Sequence, residues 1–452
     1  MRENKFLILG AGRSGINAAK LLLKLGKEVA IYDGNESLDT KAVTEKIGTD
    51  KAISFILGKY KKSDIDGFDV CVVSPGVPVD SEIVVAVEST GAQLWSEIEL
   101  AYRCDKNTVL AITGTNGKTT TTTLTYEIMK EVNEKSIVVG NIEIPYTGLA
   151  LDGVGNDCYT VAEISSFQLE TLVSFKPHVT AILNITPDHL DRHRTMERYI
   201  ELKKSITKNQ DKNDFCVLNY EDEELRHFGE VELKNCQVVF FSSKRELSNG
   251  VYLKDGNIVI SLGGKKIDVI SVNEINLVGV HNHENVMAAV AVTYCAGAPI
   301  EKIRKAVRSF TAVEHRIEFT AEKNGVKYYN DSKGTNPDAA IKAIDAMPSQ
   351  TVLIAGGYDK NADYSEWISH MEGKCKLLVL MGQTKEKIAA ACDKAGFTKY
   401  VFVSDMEQAV KTAAKTAEAG ECVLLSPACA SWGMFKCYQD RGNLFKKLVK
   451  EM

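Results

Sequence analysis

A chain of three α/β domains with mostly parallel sheets is what the sequence predicts, and three observations carry that expectation. Strand-length apolar runs alternate with amphipathic helical stretches, the pattern of parallel strands joined by crossover helices. Two glycine-rich turns, at residues 10–15 and 114–119, each sit between a strand and a helix. The length, 452 residues, corresponds to about three domains at roughly 150 residues apiece. Polar breaks at Cys104-Asp105-Lys106-Asn107 and near Thr311 divide it into 1–103, 104–310 and 311–452.

The first domain opens with a strand over Lys5–Leu9, the turn Gly10-Ala11-Gly12-Arg13-Ser14-Gly15 and a helix through Leu25. A strand over Glu28–Tyr32 ends at Asp33, and another over Asp69–Val73 ends in Ser74-Pro75-Gly76. The second domain starts with Thr108–Thr113, the turn Gly114-Thr115-Asn116-Gly117-Lys118-Thr119 and a helix from Thr120 to Val132. Buried strands follow at Tyr159–Ile164 and Val179–Ile185, then a β-rich insert, Val238–Ile270, turning at Lys254-Asp255-Gly256-Asn257. Helices over Asn282–Cys295 and Glu301–Ser309 close it. The third domain begins with a hairpin, Ile317–Tyr329, turning at Asn324-Gly325. Alternation resumes with strands Thr351–Ala355, Leu377–Met381, Tyr400–Val403 and Cys422–Leu425 and a helix over Met406–Ala417.

Composition excludes some functions. With 55 basic against 60 acidic residues the formal charge is −5, without the basic surplus of a nucleic-acid binder. No apolar run approaches the ~18 residues that cross a bilayer, and Phe6–Leu9 is too short for a signal-peptide core. The eleven cysteines are scattered and never spaced C-x-x-C, so they read as reduced thiols. A cytoplasmic protein that inserts in no membrane and binds no nucleic acid is expected.

The strongest motif is Thr113–Thr120. Its glycines let backbone N–H groups turn around a phosphate at a helix N-terminus, Lys118 reaches the β/γ-phosphates and the Thr119 hydroxyl serves Mg²⁺. The loop is the short G-x-x-G-K-T form, since Ile112 stands where the longer form has glycine. Gly10-x-Gly12-x-x-Gly15 with Asp33 at the next strand end fits a nucleotide or its diphosphate, in a Rossmann-like domain. Glu163 emerges at a strand end near the phosphate loop, where an acid can hold Mg²⁺. Asp188-His189-Leu190-Asp191-Arg192-His193 follows the next strand; Leu190 occupies the acid position of H-E-x-x-H, so no zinc protease is indicated. By their own chemistry several clusters have bland readings. Asp188–His193 reads as a solvated strand-end turn, Tyr199-x-x-x-Lys203-x-x-Ile206 as a solvated helix face, and Asn282 and Asn330–Pro337 as helix caps. Cys429 has no evident base to activate it.

In this order the motifs resemble those of the Mur ligases, ATP-dependent amide ligases of peptidoglycan precursor synthesis, across nearly the whole chain. The shared features are Gly114–Thr119, Glu163, His189, the Tyr199/Lys203 helix, Gly279-x-His281-Asn282-x-x-Asn285 and His315-Arg316. Asn330–Asn336, Gly356-Gly357-Tyr358-Asp359-Lys360 and Leu425–Ser431 are similar to the branch that adds D-glutamate to UDP-N-acetylmuramoyl-L-alanine. The Asp-Asn-Pro-Arg signature of the diaminopimelate-adding branch is absent. Two departures stand out: Tyr438 replaces a familiar Phe, and Gly357-Tyr358-Asp359-Lys360 differs from the variant with Asp directly after the glycines.

The resemblance implies a Rossmann-like N-terminal domain for the UDP-sugar, a central P-loop ATPase-like domain and a C-terminal Rossmann-like domain for the amino acid. It implies that Arg13, Ser14, Asp33, Gly34, Ser74 and Gly76 face the uridine diphosphate, with Asn141, Ser165 and Gln168 at the sugar-peptide part. ATP would meet Gly114, Thr115, Asn116, Gly117, Lys118, Thr119 and Thr120, with Asn282 and Asn285 near adenine, Arg316 at the γ-phosphate and Asp331 and Lys333 near ribose and phosphate. Lys118, Glu163, His189, Lys203 and Arg316 would be catalytic. Thr119, Glu163, His189 and a Lys203 carbamylated by CO₂ would hold two Mg²⁺ ions. Thr335, Lys360, Ser431 and Tyr438 would receive D-glutamate, in a monomer. The alternatives are another Mur ligase or a folylpolyglutamate synthetase-like ligase and, outside the class, an NAD-dependent dehydrogenase built on Gly10–Gly15, which leaves Gly114–Thr119 unexplained.

Overall fold

The computed structural model of the chain describes residues 1–49, 51, 53–142, 144–153, 155 and 157–452. Three sheets follow one another along it. The first has, in spatial order, Ser54–Leu57, Glu28–Asp33, Lys5–Leu9, Val70–Val73 and Gln93–Ser96, all parallel. Its central strands are buried on both faces, which is why Phe6–Leu9 and Val70–Val73 are unbroken apolar runs. Strand order reverses between Lys5–Leu9 and Val70–Val73, so the turns after these two strands diverge around a crevice at the sheet's C-terminal edge. Gly10–Gly15 and Ser74–Gly76 are those turns.

The second sheet orders Lys265–Ser271, Asn257–Leu262, Gly250–Lys254, Gln237–Ser242, Phe215–Asn219, Val179–Ile182, Thr108–Thr113, Tyr159–Glu163 and Ile137–Gly140. Its strands run in one direction except Asn257–Leu262, which pairs antiparallel with both of its neighbours. Thr108–Thr113 lies between Val179–Ile182 and Tyr159–Glu163. The segments that follow these three strands, beginning at Gly114, Ile164 and Leu183, therefore leave the same sheet edge side by side. The third sheet orders Glu318–Lys323, Val326–Asn330, Cys422–Leu425, Thr351–Ala355, Cys375–Leu380 and Tyr400–Phe402, with only its opening hairpin antiparallel. Alternation sends Val352 and Ile354 to a core shared with Phe445, and Leu353 and Ala355 to one shared with Trp367.

Met1–Ser271 with Asn285–Val307 forms one compact unit, and Val272–Glu284 with Arg308–Met452 another. Within the first unit, one apolar cluster joins both sheets, from Phe6 and Trp95 through Tyr146 to Phe175 and Tyr199. Two buried acids reinforce it. Glu99 accepts from the N–H groups of Val173, Ser174 and Phe175, and Glu97 from the N–H and hydroxyl of Thr147. Among the described residues, no helix is long and apolar enough to cross a membrane.

Candidate functional site

The strand Thr108–Thr113 runs into the phosphate loop, and Lys118 is the first residue of the helix Lys118–Val132, two residues earlier than expected. Gly117 has φ +85°, which strains any side chain, and a Cβ there would stand 2.2 Å from Asn285 Oδ1 and force that amide to shift. Neighbouring strand ends brace the loop. Asn116 N–H donates to Asn184 Oδ1 at 2.8 Å, and Asn184 Nδ2 donates back to Asn116 O at 3.1 Å. Thr115 Oγ1 donates to Thr186 O at 3.1 Å and lies 3.0 Å from the Tyr199 hydroxyl. Lys118 Nζ folds over the loop and donates to the carbonyls of Gly114 and Thr115, each at 2.8 Å. A glycine-capped helix N-terminus with an ammonium above it is an arrangement suited to phosphate.

Lys203 corrects the solvated-face reading. On the helix Met196–Lys204, Tyr199, Leu202 and Lys203 are buried, and Lys203 is 1% exposed. Its Nζ donates to Gly114 O at 2.9 Å. Burial, and then the Lys118 charge, hold its pKa well below the ordinary lysine value, which favours the neutral, nucleophilic amine. Glu163 is buried too; Oε1 accepts from Asn141 Nδ2 at 2.9 Å, while Oε2 has no partner among the described residues. A buried carboxylate oxygen lacking a donor is a group that fits a hard cation.

His189 follows the third strand end, its ring centroid 4.8 Å from that of Phe167. It is exposed, in the left-handed region at φ 53°, with Nε2 3.5 Å from Asp188 Oδ2. The solvated-turn reading holds for it but fails for His193, which is buried with Nε2 2.9 Å from Ser166 Oγ. Burial lowers the His193 pKa to about 4. Among the described residues, no three His, Cys, Asp or Glu side chains gather into a metal-holding group.

At the first sheet's crevice, Asp33 Oδ2 accepts from Ala11 N–H at 2.8 Å and Oδ1 from Asn35 N–H at 3.0 Å, so this carboxylate braces the glycine turn. A Cβ on Gly15 would stand 1.9 Å from Gly10 O. Arg13, Gly34 and Gly76 are exposed and Ser14 half-buried, while Ser74 Oγ is buried without a partner among the described residues. Gln168 Oε1 accepts from Ser165 N–H and Oγ at 2.9 and 3.0 Å.

In the other unit, His315 is buried with Nδ1 2.9 Å from Asn330 Nδ2, and Arg316 follows it, half-buried. Asp331 is buried; it accepts from Ser426 Oγ at 2.7 Å and from Ile317 N–H at 3.3 Å, and burial raises its pKa to about 7. Lys333 Nζ lies 5.4 Å from the Tyr438 ring centroid and Lys360 Nζ 5.6 Å from that of Trp432. Ser431 is buried and Thr335 half-buried. Asn282 lies inside the helix Val280–Cys295, donating from Nδ2 to Val278 O at 2.7 Å, so it is not the cap expected there. Arg441 was not singled out in the sequence. It is buried and donates to Cys429 O, Ser332 O and Ser332 Oγ, tying two of the expected loops together. Its position three residues after Tyr438 on one helix was the available signal.

Known proteins share this whole arrangement. Family models described as Mur ligase MurD-like N-terminal domain, Mur ligase middle domain and Mur ligase glutamate ligase domain match residues 4–96, 112–293 and 315–429. A UDP-N-acetylmuramoylalanine--D-glutamate ligase from Lachnospira eligens is 52% identical over 452 residues, the whole of both chains. The chain belongs to the Mur ligase family. An enzyme of the same name from Lachnoclostridium phytofermentans is 50% identical over 446 residues, 98% of this chain and 97% of that one. Two solved Mur ligases from Thermotoga maritima share the fold. The UDP-N-acetylmuramate-alanine ligase MurC aligns with TM-score 0.60 at 18% identity, over 99% of each chain. MurF in complex with ADP aligns with TM-score 0.57 at 16% identity, over 100% of this chain and 96% of that one. The expected α/β fold with three Mur ligase domains is thus borne out.

Proposed function

We infer that this Mur ligase joins D-glutamate to UDP-N-acetylmuramoyl-L-alanine, with ATP becoming ADP and phosphate, in peptidoglycan precursor synthesis. The observation that carries the reading is 52% identity along the entire chain to a relative bearing that activity's name. A carboxylate is a poor acyl donor because oxide is a hopeless leaving group. Transfer of the γ-phosphoryl group to it gives an acyl phosphate; the D-glutamate amine attacks, and the tetrahedral oxyanion expels phosphate. Such chemistry rests on positioning and on cationic stabilisation.

In this reading Gly114 to Thr120 cradle the ATP phosphates, with Lys118 and Arg316 as the principal cations, Lys333 and Asp331 near phosphate and ribose, and Asn282 and Asn285 near adenine. Arg13, Ser14, Asp33, Gly34, Ser74 and Gly76 receive the uridine diphosphate, and Asn141, Ser165 and Gln168 its sugar-peptide. Thr335, Lys360, Ser431 and Tyr438 receive D-glutamate. The domains are 1–103, 104–310 and 311–452. The neutral Lys203 amine adds to CO₂, forming a C–N bond and losing a proton to give a carbamate. That anion, Glu163, Thr119 and His189 would hold two Mg²⁺ ions, which would supply charge neutralisation at the phosphates; the donorless Glu163 Oε2 supports this. The protein acts as a cytoplasmic monomer, a reading supported by its free thiols and by a substrate domain for each reactant in one chain.

The test is phosphate release with UDP-N-acetylmuramoyl-L-alanine across a panel of amino acids. D-glutamate should stimulate it; preference for meso-diaminopimelate, L-alanine or L-glutamate would overturn the assignment.

A further inference from the structure

The turn after Asp188 is strained at both ends. His189 at φ 53° and Arg194 at φ 69° flank the one-turn helix Leu190–His193, and non-glycine residues keep such angles only where their surroundings over-determine them. Arg192 is the main surrounding contact. Its Nη2 donates to Glu170 Oε2 at 2.6 Å and to Val77 O at 3.0 Å, and its guanidinium lies 4.9 Å from the Phe167 ring centroid. The Arg192 and Glu170 side chains are only 15% and 6% exposed. His193 adds Nδ1 3.7 Å from Glu170 Oε1, and Arg194 Nη2 lies 3.8 Å from Asp80. Val77 closes the turn Ser74-Pro75-Gly76-Val77 by donating its N–H to Ser74 O. One guanidinium therefore joins a loop of the first sheet to the segment that follows Glu163 on the second.

We propose that Arg192 is a positioning residue that sets the separation between the Ser74–Val77 loop and the Glu163 strand end. The proposal rests on the reading that this loop receives the nucleotide end of the substrate. A long substrate gripped at its diphosphate and reacting at its distant carboxylate needs that separation fixed, because small displacements spoil near-attack geometry. Both hydrogen bonds come from one guanidinium nitrogen, and a lysine would keep the charge but not the planar group held against the Phe167 ring.

The experiment measures phosphate release by wild type, R192A, R192K and E170Q, varying the nucleotide sugar and ATP separately, with thermal melts alongside. R192A is expected to raise KM for the nucleotide sugar roughly ten- to hundredfold while KM for ATP stays within about twofold. R192K and E170Q should move the same constant by less. An unmoved nucleotide-sugar KM in R192A and R192K, or an equal loss for every substrate, would overturn the proposal; if R192A does not fold, R192K and E170Q decide by the same criterion. Wild type that releases no phosphate with the nucleotide sugar would instead overturn the substrate assignment. Amide exchange at Ser74, Gly76 and Val77 then still reads the clamp: faster exchange in R192K supports it, and unchanged exchange overturns it.

Discussion

Replacing Lys203 with methionine separates the chemistry of this side chain from its packing. Methionine has a similar unbranched shape, so the buried stem keeps its contacts. The amine's hydrogen bond to Gly114 O is lost, but that carbonyl still accepts from Lys118 Nζ, so no buried acceptor is orphaned. The loss is about 0.5–1.5 kcal/mol. An opposing term comes from the depressed pKa. Below the ordinary lysine value the unfolded chain binds a proton that the buried amine does not, so the lysine itself destabilises the fold, and this penalty fades as pH rises toward that value. The two terms oppose one another, and K203M should melt within roughly 3 °C of wild type at pH 7. Its phosphate release should fall at least 10²–10³-fold, roughly the effect of removing one transition-state electrostatic partner. K203A should regain part of its activity with added formate or acetate, which replaces the missing anion. Activity of K203M within about threefold of wild type would remove Lys203 from the chemistry, against that expected loss. A melt depressed by more than about 10 °C would show a structural role instead.

Lys118→Ala should abolish ATP-dependent phosphate release while calorimetry still finds the nucleotide sugar bound; parallel loss of both would contradict separate cradles. Glu99→Gln should cost about 3 kcal/mol in the melting of the first unit, because a buried carboxylate loses Arg103 and the donors of residues 173–175. The folded Glu99 pKa is lowered, so its stabilisation is present above the ordinary carboxylate value and lost as pH falls through the folded one; the two melts should approach one another as pH falls below the ordinary carboxylate range. Asp331→Asn should flatten a slope of the opposite sign. With a folded pKa of about 7, the fold holds a proton that the unfolded chain has released, so stability falls as pH rises from about 4 to 7. Urea titrations at several pH values check it, and an unchanged slope in the variant would refute the assignment.

Local chemistry was legible and long-range burial was not. Gly114 and Gly117 announced themselves because only glycine takes their φ values beside a strand end, and Lys5–Leu9 did so because a doubly covered parallel strand is apolar throughout. Ser54–Leu57 and Gln93–Ser96 did not, being four-residue edge strands too short to display a period. Tyr199, Leu202, Lys203 and Ile206 fall at i, i+3, i+4 and i+7, a buried stripe that happens to include a lysine; weighting position over residue type would have found it. Arg192 carried no such clue. Its partner Val77 lies 115 positions away, and only the sheet topology brings the two together.

Lys203 and Lys118 share the Gly114 carbonyl, and only Lys203 is buried. Both Nζ atoms donate to it, so the two nitrogens are no more than about 6 Å apart, where like charges in a poorly solvated site repel strongly. Burial first, and the Lys118 charge second, lower the Lys203 pKa, while Lys118 is half-exposed at the helix N-terminus. A neutral amine can attack CO₂; an ammonium has no lone pair to do so. On the proposed reading, the reaction then reverses the sign of the pair. A carbamate beside Lys118 attracts where an ammonium would repel, and it adds an oxygen anion near Glu163, whose Oε2 already lacks a donor. On that reading, the same short loop that crowds two lysines would prepare the anionic site that a Mg²⁺ ion requires.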